Sequence, residues 1–177
     1  MKISTKRLAE LSLMTAIALI IFVIELQIPN LSPIAGVKLG LANIITVYGV
    51  YRYKRWEIAL ILLVRIILGG LFCGSPSTVL YSLSGGVLCL LGMLPLKRII
   101  PRSRLWICSV LGAVLHNVGQ IAAAVILMRT ATVIAYLPFL LVSGCIAGAF
   151  TGICGQLLLN RLDKRNPKGR NRNERQK

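Results

Sequence analysis

The chain has 177 residues, of which 56% are hydrophobic, and its mean hydropathy is +0.77. A soluble domain of this size would be far more polar, so a water-soluble globular class is excluded. The net charge of +16, from 21 Lys and Arg against 5 Asp and Glu, lies between apolar runs and in the tail, which argues for a membrane topology signal and against a nucleic-acid surface.

A helix crossing about 30 Å of hydrocarbon needs on the order of 20 mostly apolar residues. Windows of that kind fill the chain almost from end to end. They predict one all-α membrane domain over residues 1–160, a bundle of six transmembrane helices, with no room for a second soluble domain. The first predicted helix runs from about Leu8 to Ile28. Its basic start and apolar run end at Glu25-Leu-Gln-Ile-Pro29 without a small-residue cleavage site, so it reads as a retained helix. Pro29 and Pro33 impose an extended loop. A short or tilted second helix follows, about Leu39 to Tyr51, then the basic connection Arg52-Tyr-Lys54-Arg55. The third helix spans about Glu57 to Phe72, and Gly74-Ser-Pro76-Ser separates it from the fourth, about Val79 to Leu94. A second basic connection holds Pro95, Lys97, Arg98, Pro101, Arg102 and Arg104. The fifth helix covers about Leu105 to Met128 and the sixth about Leu137 to Leu159. Residues 161–177 read as a basic, disordered cytoplasmic tail.

Alternating six spans from an inside N-terminus puts 18 of the 21 positive charges inside. They are Lys2, Lys6 and Arg7; Arg52, Lys54 and Arg55; Lys97, Arg98, Arg102 and Arg104; and the eight from Arg161 to Lys177. Lys38 and Arg129 fall outside, and Arg65 lies within a span. The positive-inside bias therefore orients the chain with both termini in the cytoplasm, in a multi-pass protein of the cell membrane.

The five cysteines lie in apolar stretches without a CxxC pair and read as small hydrophobes, so no metal or other cofactor is expected. Gly144, Gly148 and Gly152 share one face of the sixth helix, suited either to close packing in the bundle or to a partner membrane subunit. Ser12 and Ala16 make a weaker small-residue pair on the first helix.

Ionisable and amide groups inside a span are costly and are default functional candidates. Arg65 lies about 12 Å into the third helix and wants an anionic partner, from the protein or from a ligand. Glu25 ends the first helix near the outer surface, either solvated or paired with Arg65. Lys38 and Asn43 open the second helix on that outer side. His116 and Gln120 are one helical turn apart and share a face, with Asn117 offset by about 100°. Together these residues would line an outward-opening cavity for a small anionic or amide-rich ligand, although His116 alone also suits a helix–helix hydrogen bond.

Glu25-Leu-Gln-Ile-Pro-Asn30, Gly36-Val-Lys-Leu-Gly-Leu-Ala-Asn43, Arg65-Ile-Ile-Leu-Gly69, Ser82-Leu-Ser-Gly-Gly86 and His116-Asn-Val-Gly-Gln120 resemble the Gx transporter family, over about residues 8–160. That family is also labelled heptaprenyl diphosphate synthase component I. It is similar to the substrate-capture S components of energy-coupling factor transporters, six-helix proteins with an outward-facing cavity capped by the loop between their first two helices. The resemblance implies docking on a transmembrane T component with two ATPases, and Ser12 and Ala16 are the nearest match to the docking face of such proteins.

Three functions follow as expectations. The first is a substrate-binding uptake subunit; without a P-loop (GxxxxGK[ST]) the chain would rely on partner ATPases. The second is an accessory subunit of a heptaprenyl diphosphate synthase. Catalysis of that chemistry calls for carboxylate pairs holding Mg²⁺, whereas this chain has one Asp, Asp163, and four Glu that stand apart in sequence. The third is a structural membrane subunit linked to extracellular electron transfer. Beyond the ligand and these subunits, only membrane lipid is expected as a partner.

Overall fold

The computed structural model describes residues 4–27 and 40–165. Six α-helices account for most of them: α1 (Thr5–Gln27), α2 (Asn43–Arg52), α3 (Arg55–Cys73), α4 (Pro76–Ile99), α5 (Leu105–Met128) and α6 (Leu137–Arg165). Two short 3-10 segments, Arg102–Arg104 and Ala131–Tyr136, lead into α5 and α6, and no strand occurs among the described residues. Four helical stretches are long and apolar enough to cross a membrane: Thr5–Gln27, Pro76–Ile99, Arg102–Met128 and Ala131–Arg161. The 19 residues of α3 include Arg55, Glu57 and Arg65. The ten residues of α2 reach only about 15 Å, half of a hydrocarbon core.

The helix ends follow local chemistry. The third helix starts where the Glu57 carboxylate accepts the Lys54 backbone N–H at 2.8 Å. It stops at Gly74, whose φ of +62° suits glycine, and Pro76 opens α4 at a position that needs no backbone donor. Pro95 does not end α4 as expected. The helix continues one turn to Ile99, because a membrane helix tolerates an interior proline when neighbours satisfy the freed carbonyl. Pro101, in extended backbone, is the real stop. Arg161, where the tail was expected to begin, lies inside α6. The loop at Pro29 and Pro33 and the tail beyond residue 165 lie outside the described residues.

Lipid offers no hydrophobic drive for helices to associate, so close packing and interhelical hydrogen bonds carry the bundle. The most extensive contact is between α5 and α6, followed by α4 with α5. Gly144, Gly148 and Gly152 form the α6 side of that first seam. A Cβ on Gly148 would stand 2.9 Å from the Val110 Cα, and one on Gly152 would stand 2.6 Å from the Trp106 Cα. Ser109 and Thr151 bond across the seam at 3.1 Å, and Gln156 Oε1 accepts the Leu105 N–H at 2.9 Å. Thus the glycine face is occupied within the chain. Ser12 and Ala16 are exposed on α1.

At the centre lies α2, with Asn43 and every residue from Ile45 to Tyr51 buried. Both of its ends meet charges of the sign its dipole favours. At the C-terminal end Lys97 Nζ donates to the Val50 carbonyl at 2.9 Å, and Arg102 Nη2 donates to the Tyr51 carbonyl at 3.2 Å. At the N-terminal end stands the Glu25 carboxylate. The start of α1, the α2–α3 connection, the α4–α5 connection and the last turns of α6 therefore gather at one basic end of the bundle.

Candidate ligand-binding site

Glu25 is buried, 3% exposed, and lies about 22 Å along α1 from Glu10. Its Oε1 accepts the Gly40 N–H at 2.6 Å, and the backbone amides of Leu41 and Ala42 also turn toward it. Gly40 makes this arrangement with φ of +81°, and its carbonyl accepts the Asn43 N–H to close the first turn of α2. The carboxylate is therefore neither solvated nor ion-paired with Arg65, the two expected alternatives. It neutralises the positive end of α2.

Arg65, 5% exposed, feels the Glu25 charge without forming an ion pair with it. Its guanidinium carbon lies 5.9 Å from the Phe22 ring centroid, a loose cation–π contact. Its Nε and Nη2 have no hydrogen-bond partner. Beside it runs a narrow recess, lined by Phe22, Ile66, Gly70, Thr78, Val79 and Ser82 as well as Arg65 itself. Nowhere is the recess wide enough to seat a water molecule, and of the residues expected to line a cavity only Arg65 borders it. Thr78 and Ser82, both buried, add hydroxyls from α4 that hydropathy did not single out.

His116 sits between two glycines. A Cβ on Gly40 would stand 3.1 Å from its Cδ2, and one on Gly85 would stand 2.8 Å from its Nδ1. Gln120 Nε2 lies 3.0 Å from His116 Nε2, as their shared face implied. An amide nitrogen only donates, so His116 Nε2 accepts and the ring proton is on Nδ1. Asn43 Nδ2 crowds the same space above Gly40. Asn117 turns away, as its 100° offset required, and donates from Nδ2 to the Leu140 carbonyl on α6. Lys38 lies outside the described residues.

The buried polar atoms left without partners concentrate on these residues. Among the described residues they are Asn43 Oδ1 and Nδ2, Arg65 Nε and Nη2, His116 Nδ1, Asn117 Oδ1 and Gln120 Oε1. Each such atom costs about 1–3 kcal/mol. Native proteins carry few, and a cluster of them calls for an explanation.

A second polar cluster, at the basic end, was not anticipated. Arg7 holds the Glu57 carboxylate with two bonds, Nη2 at 2.6 Å and Nε at 3.0 Å, and Glu10 with Nη1 at 3.0 Å. The Arg7 guanidinium lies 4.5 Å from the Tyr53 ring centroid, and the Tyr53 hydroxyl donates to Glu10 Oε1 at 3.0 Å. Burial, and then the neighbouring Glu10 charge, push the Tyr53 hydroxyl above the usual phenol range. Glu10 and Glu57, apart in sequence, are thus brought together on one arginine. No group of three His, Cys, Asp or Glu able to hold a metal occurs among the described residues, and Cys89, Cys108, Cys145 and Cys154 are free thiols.

Long apolar helices around a buried polar site define a small all-helical membrane protein. The family model for heptaprenyl diphosphate synthase component I matches residues 14–158, 145 of the 177, and the chain belongs to that family. The match takes in Glu25, Asn43, Arg65, His116, Asn117 and Gln120 and leaves out Arg7 and Glu10. Neither a curated protein nor a solved structure matches the chain.

Proposed function

We propose that this chain is the membrane-embedded substrate-binding subunit of an uptake system, with six membrane helices, both termini in the cytoplasm, and a T component and ATPases as partners. The observation that carries the reading is the set of unpartnered polar atoms on Asn43, Arg65, His116 and Gln120, gathered about the N-terminal end of α2. A protein selected only for stability would fill such a place with apolar side chains, because a half-satisfied polar network is worse than none. A bound ligand supplies the missing partners. The site lies about 20 Å from the basic end, in the half of the membrane that a solute from outside reaches first.

An accessory role beside a prenyl diphosphate synthase is the second reading, favoured by the family's description. The neighbouring carboxylates of Glu10 and Glu57 are both held by Arg7, so they support anchorage of α1 rather than diphosphate–metal chemistry.

Purification of the tagged chain from its native membrane, with mass spectrometry of co-purifying proteins and small molecules, separates the readings. The uptake reading expects a retained small molecule, lost from Arg65→Gln and His116→Ala while both variants stay folded, together with ATPase partners. Recovery of a prenyl synthase subunit and no small molecule would transfer the case to the second reading.

A further inference from the structure

We infer that the site takes a small monocarboxylate bearing an amide-type edge, a lactam carboxylate being the simplest example. The inference rests on the binding-subunit reading above and names its substrate class. Three observations carry it.

The first is charge. Among the described residues two ionised groups face the site, Glu25 and Arg65. Glu25 is already compensated, by the Gly40 N–H at 2.6 Å and by the positive end of α2. Among the described residues no acid is bonded to Arg65. The uncompensated charge is a single positive one in a low-dielectric interior. One negative charge neutralises it, and a dianion such as phosphate overshoots.

Geometry is the second. The unpartnered Arg65 atoms are Nε and Nη2, which lie along one edge of the planar guanidinium. That edge presents two parallel N–H groups, the match for the two oxygens of a carboxylate.

The third is the neutral part of the site. Asn43 offers one free acceptor and one free donor group side by side, which complements a cis amide with its own N–H and C=O. His116 Nδ1 and Gln120 Oε1 extend the same mixture of one donor and one acceptor. The recess beside Arg65 is too narrow to seat a water molecule, so a ligand is admitted only as the surrounding side chains yield, which favours a small one.

The test uses the full chain in lipid nanodiscs and four probes by equilibrium dialysis. Pyroglutamate carries both groups, cyclopentanecarboxylate only the carboxylate, 2-pyrrolidone only the lactam, and inorganic phosphate the wrong charge. Pyroglutamate is expected to bind, each half-probe more than tenfold more weakly, and phosphate not at all. Arg65→Gln should weaken pyroglutamate by about 100-fold or more. Asn43→Ala, which breaks no hydrogen bond of the unliganded protein, should lose the preference for pyroglutamate over cyclopentanecarboxylate and keeps the test sound if Arg65→Gln fails to fold. Binding of phosphate or 2-pyrrolidone in preference to pyroglutamate overturns the inference, as does undiminished pyroglutamate binding by folded Arg65→Gln. If pyroglutamate fails on the wild type while another molecule co-purifies and is lost from the Arg65 variant, the substrate class falls and the binding-subunit reading stands. If the wild type neither carries nor takes up any small molecule, both fall.

Discussion

Two asparagines, 74 positions apart, should respond to alanine with opposite signs. Asn43 and Asn117 are both buried, at 5% and 1% exposure. Neither amide atom of Asn43 has a partner, whereas Asn117 Nδ2 donates to the Leu140 carbonyl across the α5–α6 seam. Asn43→Ala removes two orphaned atoms at about 1–3 kcal/mol each. It leaves a cavity of roughly 40–50 Å³, costing about 1 kcal/mol at 24 cal/mol per Å³. The net is a gain of about 1–5 kcal/mol for the unliganded protein. At about 2–4 °C per kcal/mol for a chain of this size, the melting temperature should rise by roughly 5 °C. Asn117→Ala loses an interhelical bond and leaves a similar cavity, about 1.5–2.5 kcal/mol together, against about 1 kcal/mol recovered from its one orphaned atom, while the Leu140 carbonyl keeps the Ser143 hydroxyl at 3.1 Å. Its melting temperature should fall, by about 1 kcal/mol of stability.

Thermal unfolding of the ligand-free variants in one detergent, followed by tryptophan fluorescence, measures both. A fall for Asn43→Ala as large as that for Asn117→Ala would refute the reasoning. It would mean that the Asn43 amide is satisfied within the bundle and that the site is structural. A rise accompanied by weaker ligand binding is the trade of stability for function that a binding site imposes.

The Arg7–Glu57 pair should behave as a partly buried ion pair. Arg7→Gln strands a buried carboxylate and should cost about 1–3 kcal/mol, while Arg7→Gln with Glu57→Gln recovers part of the loss; a double-mutant cycle in thermal unfolding reads the coupling. Gly85→Ala should be far more disruptive than Gly92→Ala. The new Cβ at position 85 would stand 2.8 Å from the His116 carbonyl oxygen, which is backbone, whereas at 92 it meets only the mobile end of Leu115. Gly85→Ala should therefore lower the melting temperature by several degrees and lose ligand, and equal effects at the two sites would contradict the packing described. For topology, a single cysteine at Thr130 in a cysteine-free background should react with an impermeant maleimide in intact cells, and one at Lys54 only after permeabilisation. Reversed labelling would invert the orientation.

The helices were legible because apolar runs bounded by Pro, Gly and basic clusters leave little choice, and α5 spans Leu105–Met128 as expected. The misreading at Pro95 has a physical source: the rule that proline stops a helix comes from water, where the freed carbonyl has no nearby protein to satisfy it. The buried polar residues were legible for a related reason, since one amide or guanidinium in an apolar run stands out. Their partners were not. Glu25 binds backbone N–H groups, and a backbone donor carries no sequence signal. Glu10 and Glu57 meet on Arg7 only because α1 packs along α3. Asn117 could be given a direction from its helical offset, but not the Leu140 carbonyl that lies in that direction.

The central helix explains why an arginine can stand without an acid inside this bundle. At about 15 Å, α2 is too short to cross a hydrocarbon core, and its first turn is buried in the bundle, away from water that could satisfy its first amides. Only a group from the protein can do so, and an anion does it best. Glu25 fills that role and is thereby withheld from Arg65, although the two are near enough to interact electrostatically. Exchanging the two needs would lose the α2 end in order to pair the arginine, so the fold itself leaves Arg65 without an acid partner among the described residues. Glu25→Gln tests this. A neutral amide oxygen still accepts the Gly40 N–H but holds the α2 terminus less strongly, so the variant should fold with a lower melting temperature, by about 0.5–2 kcal/mol of stability. If Glu25 were mainly the counter-ion of Arg65, the same variant would strand a buried cation and lose about 3–5 kcal/mol instead.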